Sequence, residues 1–137
     1  MNRIKLDSDI MKVMTLFESM TGAKVKDCIA NEKFTFIIEE NDMGKAIGKN
    51  GANIKRLEHM LKKRIKLVEF SKDIVKFVKN MIHPSEVLDI NFEDGIVTIH
   101  GKSTSDKAMI IGRERQNINH ITYIVKRYFD IKEMKVV

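Results

Sequence analysis

Residues 47–54 read Ile-Gly-Lys-Asn-Gly-Ala-Asn-Ile, and residues 111–118 read Ile-Gly-Arg-Glu-Arg-Gln-Asn-Ile, 64 positions further along the chain (112 − 48). One such stretch alone is compatible with any glycine-containing turn between two helices. Its return at a fixed offset predicts a duplicated module. The distinctive element of that module is a basic loop that contains glycine and opens a helix.

Apolar residues after each loop follow the spacing of one helix face, and they do so at matching positions. They are Ile54, Leu57, Leu61 and Ile65 in the first copy, and Ile118, Ile121, Val125 and Phe129 in the second. A period this long with two copies favours two small domains in tandem over a solenoid of stacked repeats. We therefore expect a first domain at residues 1–71 and a second at residues 72–137.

The same order of elements is predicted in each half: helix, strand, strand, short helix, loop, helix, strand. In the first half we expect a helix from Asp7 or Ser8 to Gly22, strands at 24–30 and 33–40, helices ending at Ile47 and about Lys63, and a strand at 65–70. In the second we expect a helix from Asp73 that His83-Pro84 stops, strands at 87–92 and 96–100 joined at Asp94-Gly95, helices at 107–111 and 115–129, and a strand at 131–137. Each half is thus expected to be an α+β domain, a three-stranded sheet covered by three helices on one face.

Composition narrows the class of protein. The chain has 137 residues, of which 43% are hydrophobic, and no apolar run is long enough to cross a bilayer. Its one cysteine, Cys28, lies among apolar residues and is expected to be a buried strand thiol. The four histidines lack the spacing of metal ligands, and no nucleophile–base arrangement is visible. We expect a cytoplasmic protein without metal, cofactor or small-molecule substrate, and not an enzyme.

Positive charge is concentrated at the two loops, beyond the modest net charge of +6. Lys45, Lys49, Lys55 and Arg56 surround the first loop, and Arg113 and Arg115 lie in the second. Cations beside the exposed N–H groups of a helix N-terminus favour a phosphate, so a polyanionic partner is predicted. A DNA-reading helix-turn-helix is the alternative, but the strand pairs and the duplicated glycine loop argue against it.

These residues resemble a known family. The first loop, between two helices, is similar to the signature Gly-x-x-Gly loop of KH domains, and the element order resembles the type II KH fold. Two such domains without a flexible linker resemble the tandem KH unit of NusA transcription factors. The resemblance covers essentially the whole chain and is closest to the short archaeal NusA-like form, which consists of the KH pair.

The resemblance implies that the first loop clamps the sugar–phosphate backbone of single-stranded RNA while the bases lie on an adjacent apolar groove. Glycines would allow close approach of a phosphate, Lys49 would supply charge, and Ile47 and Ile54 would form the groove floor. The residues expected at RNA are Ile47, Gly48, Lys49, Asn50, Gly51, Ile54, Lys55 and Arg56 in the first half, and Gly112, Arg113, Arg115 and Asn117 in the second.

The second loop departs from the family pattern because Arg115 stands where the final glycine is expected, and Glu114 adds a negative charge. We expect Arg115 to be helical, as the first residue of the following helix. Either its side chain contacts the phosphate or this half binds weakly and serves as scaffold, and we favour the first of these.

Two functions fit the resemblance. The first is a single-stranded RNA-binding factor of transcription elongation or termination that works near RNA polymerase. The alternative is an assembly or scaffold protein that docks on a ribosomal or polymerase surface.

Overall fold

A computed structural model describes the chain from residue 3 to residue 137, with side chains from residue 9 onward. The chain divides after Ser71 into two compact units. Within residues 3–137, each unit contains three α-helices, one short 3-10 helix in its loop and one three-stranded sheet. The α+β fold class predicted from the sequence is therefore confirmed.

The first unit follows the predicted order of elements. Its elements are α1 (Arg3–Thr21), β1 (Val25–Ala30), β2 (Phe34–Ile38), α2 (Met43–Ile47), α3 (Ala52–Leu61) and β3 (Ile65–Glu69). Helix α1 begins earlier than the expected cap at Asp7 or Ser8. It ends at Thr21, because Gly22 has a φ of 75° and its N–H donates to the Glu18 carbonyl (2.9 Å). Helix α3 ends at Leu61, slightly before the predicted Lys63. Ile65 lies in β3, as the predicted strand at 65–70 required, and not on the face of α3.

Strand β2 is the centre of the first sheet. It pairs antiparallel with β1 and parallel with β3, so α2 and α3 form the crossover between the two parallel strands. One buried residue from each helix (Phe17, Ala46 and Leu57) joins Phe36 and Ile38 of β2 in a single apolar cluster. The Phe17 and Phe36 rings stack with centroids 4.3 Å apart. All three helices thus pack on one face of the sheet.

The second unit repeats this arrangement. Its elements are α4 (Ile74–Ile82), β4 (Val87–Glu93), β5 (Ile96–Gly101), α5 (Thr104–Ile111), α6 (Gln116–Tyr128) and β6 (Glu133–Val136). Strand β5 is central, antiparallel to β4 and parallel to β6. The β4–β5 turn has positive φ at both Asp94 (53°) and Gly95 (78°), as the Asp-Gly pair predicted.

Side-chain caps set the helix starts in the second unit. The Asp73 carboxylate accepts the Val75 N–H (3.0 Å), so α4 begins where the sequence predicted. Helix α5 begins three residues before the predicted Lys107, because the Ser103 hydroxyl accepts the Asp106 N–H (3.0 Å) and donates to the Asp106 carboxylate (2.7 Å). This Ser-x-x-Asp cap is a sequence signal that the prediction missed.

Candidate nucleic-acid interface

The first loop is a tight turn between α2 and α3. Gly48 has φ 76° and ψ 174°, and Asn50 (φ 57°) and Gly51 (φ 74°) are both left-handed. The Gly51 N–H donates to the Gly48 carbonyl (3.2 Å). Three of the four loop residues therefore have positive φ, a conformation that most side chains avoid.

The two glycines of this loop are constrained in different ways. Gly48 has backbone angles that are essentially restricted to glycine, and a Cβ there would lie 2.7 Å from Asn53 Nδ2 and 2.8 Å from Asn53 Cγ. At Gly51 a Cβ would meet no atom within 4 Å, so only the left-handed backbone opposes a side chain. The first glycine is constrained by both backbone and packing, and the second by backbone alone.

The second loop has the same backbone path although its sequence differs. Gly112 has φ 76° and ψ 169°, while Glu114 (φ 55°) and Arg115 (φ 62°) are left-handed like Asn50 and Gly51. The expectation that Arg115 is the first helical residue of α6 is wrong, because α6 begins at Gln116. The position tolerates a side chain since the equivalent Cβ at Gly51 points into open space.

Charge distinguishes the two loops. Residues 45–56 contain three lysines, one arginine and no acid, a net +4, whereas residues 109–120 contain two arginines and Glu114, a net +1. The four cations of the first loop, Lys45, Lys49, Lys55 and Arg56, are exposed. Among the residues whose side chains the structure describes, none of the four forms an ion pair, so their charge is available to a partner.

Apolar surface beside the loops also differs. Ile47, the last residue of α2, is 37% exposed, and Ile54 in the first turn of α3 is half-buried. Their counterparts are less accessible, since Ile111 is half-buried and Ile118 is 1% exposed. The first unit thus presents more apolar surface next to its loop at these two positions.

Sequence reasoning missed one residue that shapes the first loop, Asn53. Its side-chain amide donates to the Lys45 carbonyl of α2 (3.0 Å) and lies against Gly48. Asn117, expected at RNA, occupies the equivalent place and donates to the Met109 (3.2 Å) and Ile110 (3.0 Å) carbonyls of α5. The presence of asparagine at both positions of the repeat was the available signal.

Other candidate chemistry is limited. Cys28 is 4% exposed on β1, and burial raises the pKa of its thiol to about 12, with the nearby Asp27 carboxylate contributing. In the described part of the chain, no group of three or more histidine, cysteine or acidic side chains is placed to hold a metal ion. Nor is any described helix long and apolar enough to span a bilayer.

Comparison with known proteins places the fold and the loops in a family. The family model for the KH domain matches residues 14–86, which is most of the first unit and the start of the second. A protein of Methanococcus vannielii named "Probable transcription termination protein NusA" is 37% identical, and the match covers 98% of this chain and 80% of that protein. The chain belongs to the NusA-like family of KH-domain proteins.

More distant similarities agree with this family. A NusA-named protein of Methanocaldococcus jannaschii is 28% identical, with the match covering all of this chain and 77% of that protein. The crystal structure of APE1850 superposes with a TM-score of 0.72 at 26% identity and covers 94% of this chain and 98% of its own. The second unit, with the element order of the first, is likewise a KH-type domain. KH domains are RNA-recognition modules, so this NusA-like chain is an RNA-binding factor.

Proposed function

We propose that this NusA-like chain binds single-stranded RNA and acts in transcription elongation or termination. The observation that carries the proposal is the first loop, where four exposed cations lie in or beside a turn whose two glycines are half-buried. The transcription role rests on the names of the relatives, each a probable transcription termination protein. In this proposal the chain is a cytoplasmic binding factor, not an enzyme, and RNA polymerase is a partner.

The first loop would act as a clamp on the sugar–phosphate backbone. Gly51 leaves open space in front of the loop, so a phosphate can approach the main chain closely. Lys49 would neutralise that phosphate, while Lys55 and Arg56 on α3 would follow the backbone of the next nucleotides. Unpaired bases would lie against Ile47 and Ile54, which favours single strands over a duplex.

The second loop would contribute through side chains. Arg115 is the counterpart of Gly51, and its side chain is exposed where the first loop has open space. The neighbouring Glu114 is also exposed. A phosphate would therefore meet the Arg113 and Arg115 guanidinium groups rather than the main chain. With a local charge of +1 against +4, this loop should bind RNA more weakly than the first.

A docking role is the second candidate function. It is favoured by two exposed apolar residues on β4, an edge strand of the second sheet: Leu88 is 72% exposed and Phe92 is 42% exposed. Apolar side chains of this size on an edge strand are suited to a protein surface such as that of RNA polymerase or the ribosome. RNA contact would then be incidental.

RNA affinity of loop variants tests the proposal. We would measure binding of single-stranded RNA, duplex RNA and single-stranded DNA at two salt concentrations, for the native chain and for Lys49→Asp/Asn50→Asp. Aspartate tolerates the left-handed backbone of Asn50, so this variant changes charge without changing the loop path. The matched control is Arg113→Asp, which gives the second loop acidic residues at the same two positions because Glu114 is already acidic.

Preferential binding of single-stranded RNA, lost in the first-loop variant and reduced less in the Arg113 variant, is the expected result. Equal losses in both variants would contradict the asymmetry between the loops. An affinity that survives Lys49→Asp/Asn50→Asp would refute the first-loop clamp. Absence of RNA binding by the native chain would refute the RNA function and favour docking.

A further inference from the structure

An asparagine lies two residues after the end of each loop. Asn53 and Asn117 lie 64 positions apart, and each side-chain amide donates to a carbonyl of the short helix before its loop. The acceptors correspond as well, since Lys45 and Met109 are also 64 positions apart. The same contact thus occurs twice, around two loops of different sequence.

The contact compensates for the way the short helix ends. The last four carbonyls of a helix find no N–H donor within the helix. The carbonyl of Lys45 is one of the last four in α2. The chain turns away at Gly48, so no later residue of α2 can provide a donor. The side-chain amide of Asn53, in the first turn of α3, donates the hydrogen bond to this carbonyl. The bond links α3 to α2 across the loop.

The same side chain also supports the loop from behind. Asn53 occupies the space where a Cβ of Gly48 would stand, and Asn117 does so for Gly112. Gly48 and Gly51, which precede the two helical segments after α2, have no side chain that could cap them. The asparagine is a polar side chain that links the two ends of the loop.

We propose that Asn53 is a positioning residue for RNA binding by the first loop, a role that rests on the proposed function above. Its side-chain hydrogen bond to α2 holds residues 48–51 in the backbone conformation, left-handed at Asn50 and Gly51, in which the main chain faces a phosphate. Without it the loop samples other conformations, and the apparent affinity falls in proportion to the fraction that remains competent. The Asn53 side-chain amide is already hydrogen-bonded to α2. In this proposal Asn53 therefore acts by holding the loop conformation and not by touching RNA.

The test compares Asn53→Ala with Asn117→Ala as its matched control in the second loop. Loop order is measured from backbone amide NMR relaxation of residues 48–51 and 112–115, and integrity of the first unit from protection of the buried Cys28 thiol. Affinity is measured with a random-sequence single-stranded RNA of about 12 nucleotides, three times the roughly four that a KH loop clamps.

For Asn53→Ala we expect increased mobility confined to residues 48–51 and an affinity about five-fold lower, the effect of one neutral hydrogen bond. The Cys28 thiol should stay protected without denaturant, with labelling at most about five-fold faster, because the first unit remains folded. Asn117→Ala should loosen residues 112–115 and lower the affinity less. A first loop that stays as ordered as in the native chain would overturn the proposal, as would unchanged affinity despite a loosened loop.

Two further outcomes are informative. If Asn53→Ala does not fold, hydrogen exchange of the Asn53 side-chain amide in the native chain decides the question. Slower exchange on adding RNA supports the positioning role, and unchanged exchange overturns it. If the native chain binds no RNA, the proposed function fails and the positioning role fails with it, whereas equal binding by native chain and variant removes the positioning role alone.

Discussion

The two glycines of the first loop should differ sharply in their tolerance of a methyl group. Gly51→Ala places a side chain in open space on a left-handed backbone, which costs ~1–2 kcal/mol, partly offset by a less flexible unfolded chain. The net loss of unfolding free energy is about 1 kcal/mol or less. Gly51→Ala should therefore fold and remain measurable.

Gly48→Ala meets three penalties at once. Its backbone lies in the region restricted to glycine, which costs ~1–3 kcal/mol for other residues. The new Cβ would stand 2.7 Å from Asn53 Nδ2, so that amide must move away. Loss of its hydrogen bond to Lys45 adds ~1 kcal/mol. We expect Gly48→Ala to destabilise the first unit by about 2 kcal/mol more than Gly51→Ala.

Cys28 provides an assay specific to the first unit. It is the single cysteine of the chain, and its buried thiol, with a pKa raised to about 12, should react with a thiol reagent only when the first unit opens. Labelling during a urea titration then gives the unfolding free energy of that unit for the native chain and both variants. Equal losses for the two alanine variants would refute the argument that packing against Asn53 distinguishes the glycines.

Three other results are expected. Glu114→Asn should raise the unfolding free energy of the second unit by about 0.5 kcal/mol, since asparagine tolerates the left-handed conformation better than glutamate. Both tyrosines lie in the second unit, so a urea titration followed by tyrosine fluorescence measures this free energy. A lower unfolding free energy in the variant would contradict the prediction. Hydrogen bonds from the Glu86 N–H, the larger cause, and from the Ser103 hydroxyl hold the pKa of the Asp106 carboxyl below its usual value. The ionised carboxylate therefore stabilises the folded second unit above about pH 4, and this stabilisation is lost as pH falls through the lower pKa of the folded state. Acid unfolding of the second unit should be less steep in Asp106→Asn, and an unchanged pH profile would show that another group dominates. Lys55→Gln should reduce the slope of log affinity for RNA against log salt by about 0.7 if Lys55 contacts a phosphate, and an identical slope would exclude that contact.

The sequence predicted the order of elements because apolar periodicity and the 64-residue repeat report directly on which residues are buried. It also placed the stops of α1 at Gly22 and α4 at His83-Pro84, where backbone chemistry is local. It did not give the left-handed backbone of Arg115, because glycine was the only cue to positive φ and arginine ordinarily indicates a helical residue. The Asn53 bond was equally invisible, since it depends on where α2 ends in space relative to α3.

The two loops together show which part of the Gly-x-x-Gly pattern the fold itself requires. Both copies keep the first glycine, where a Cβ would collide with the following asparagine, and both keep that asparagine. Only the second copy replaces the last glycine, at the position where a Cβ has free space and left-handed strain is the sole penalty. The fold therefore accounts for glycine at positions 48 and 112 without reference to a ligand. It does not account for glycine at position 51 in the same way, because Arg115 takes up the same backbone conformation. A ligand that approaches the main chain of the first loop, as the proposed phosphate does, supplies the missing reason for Gly51.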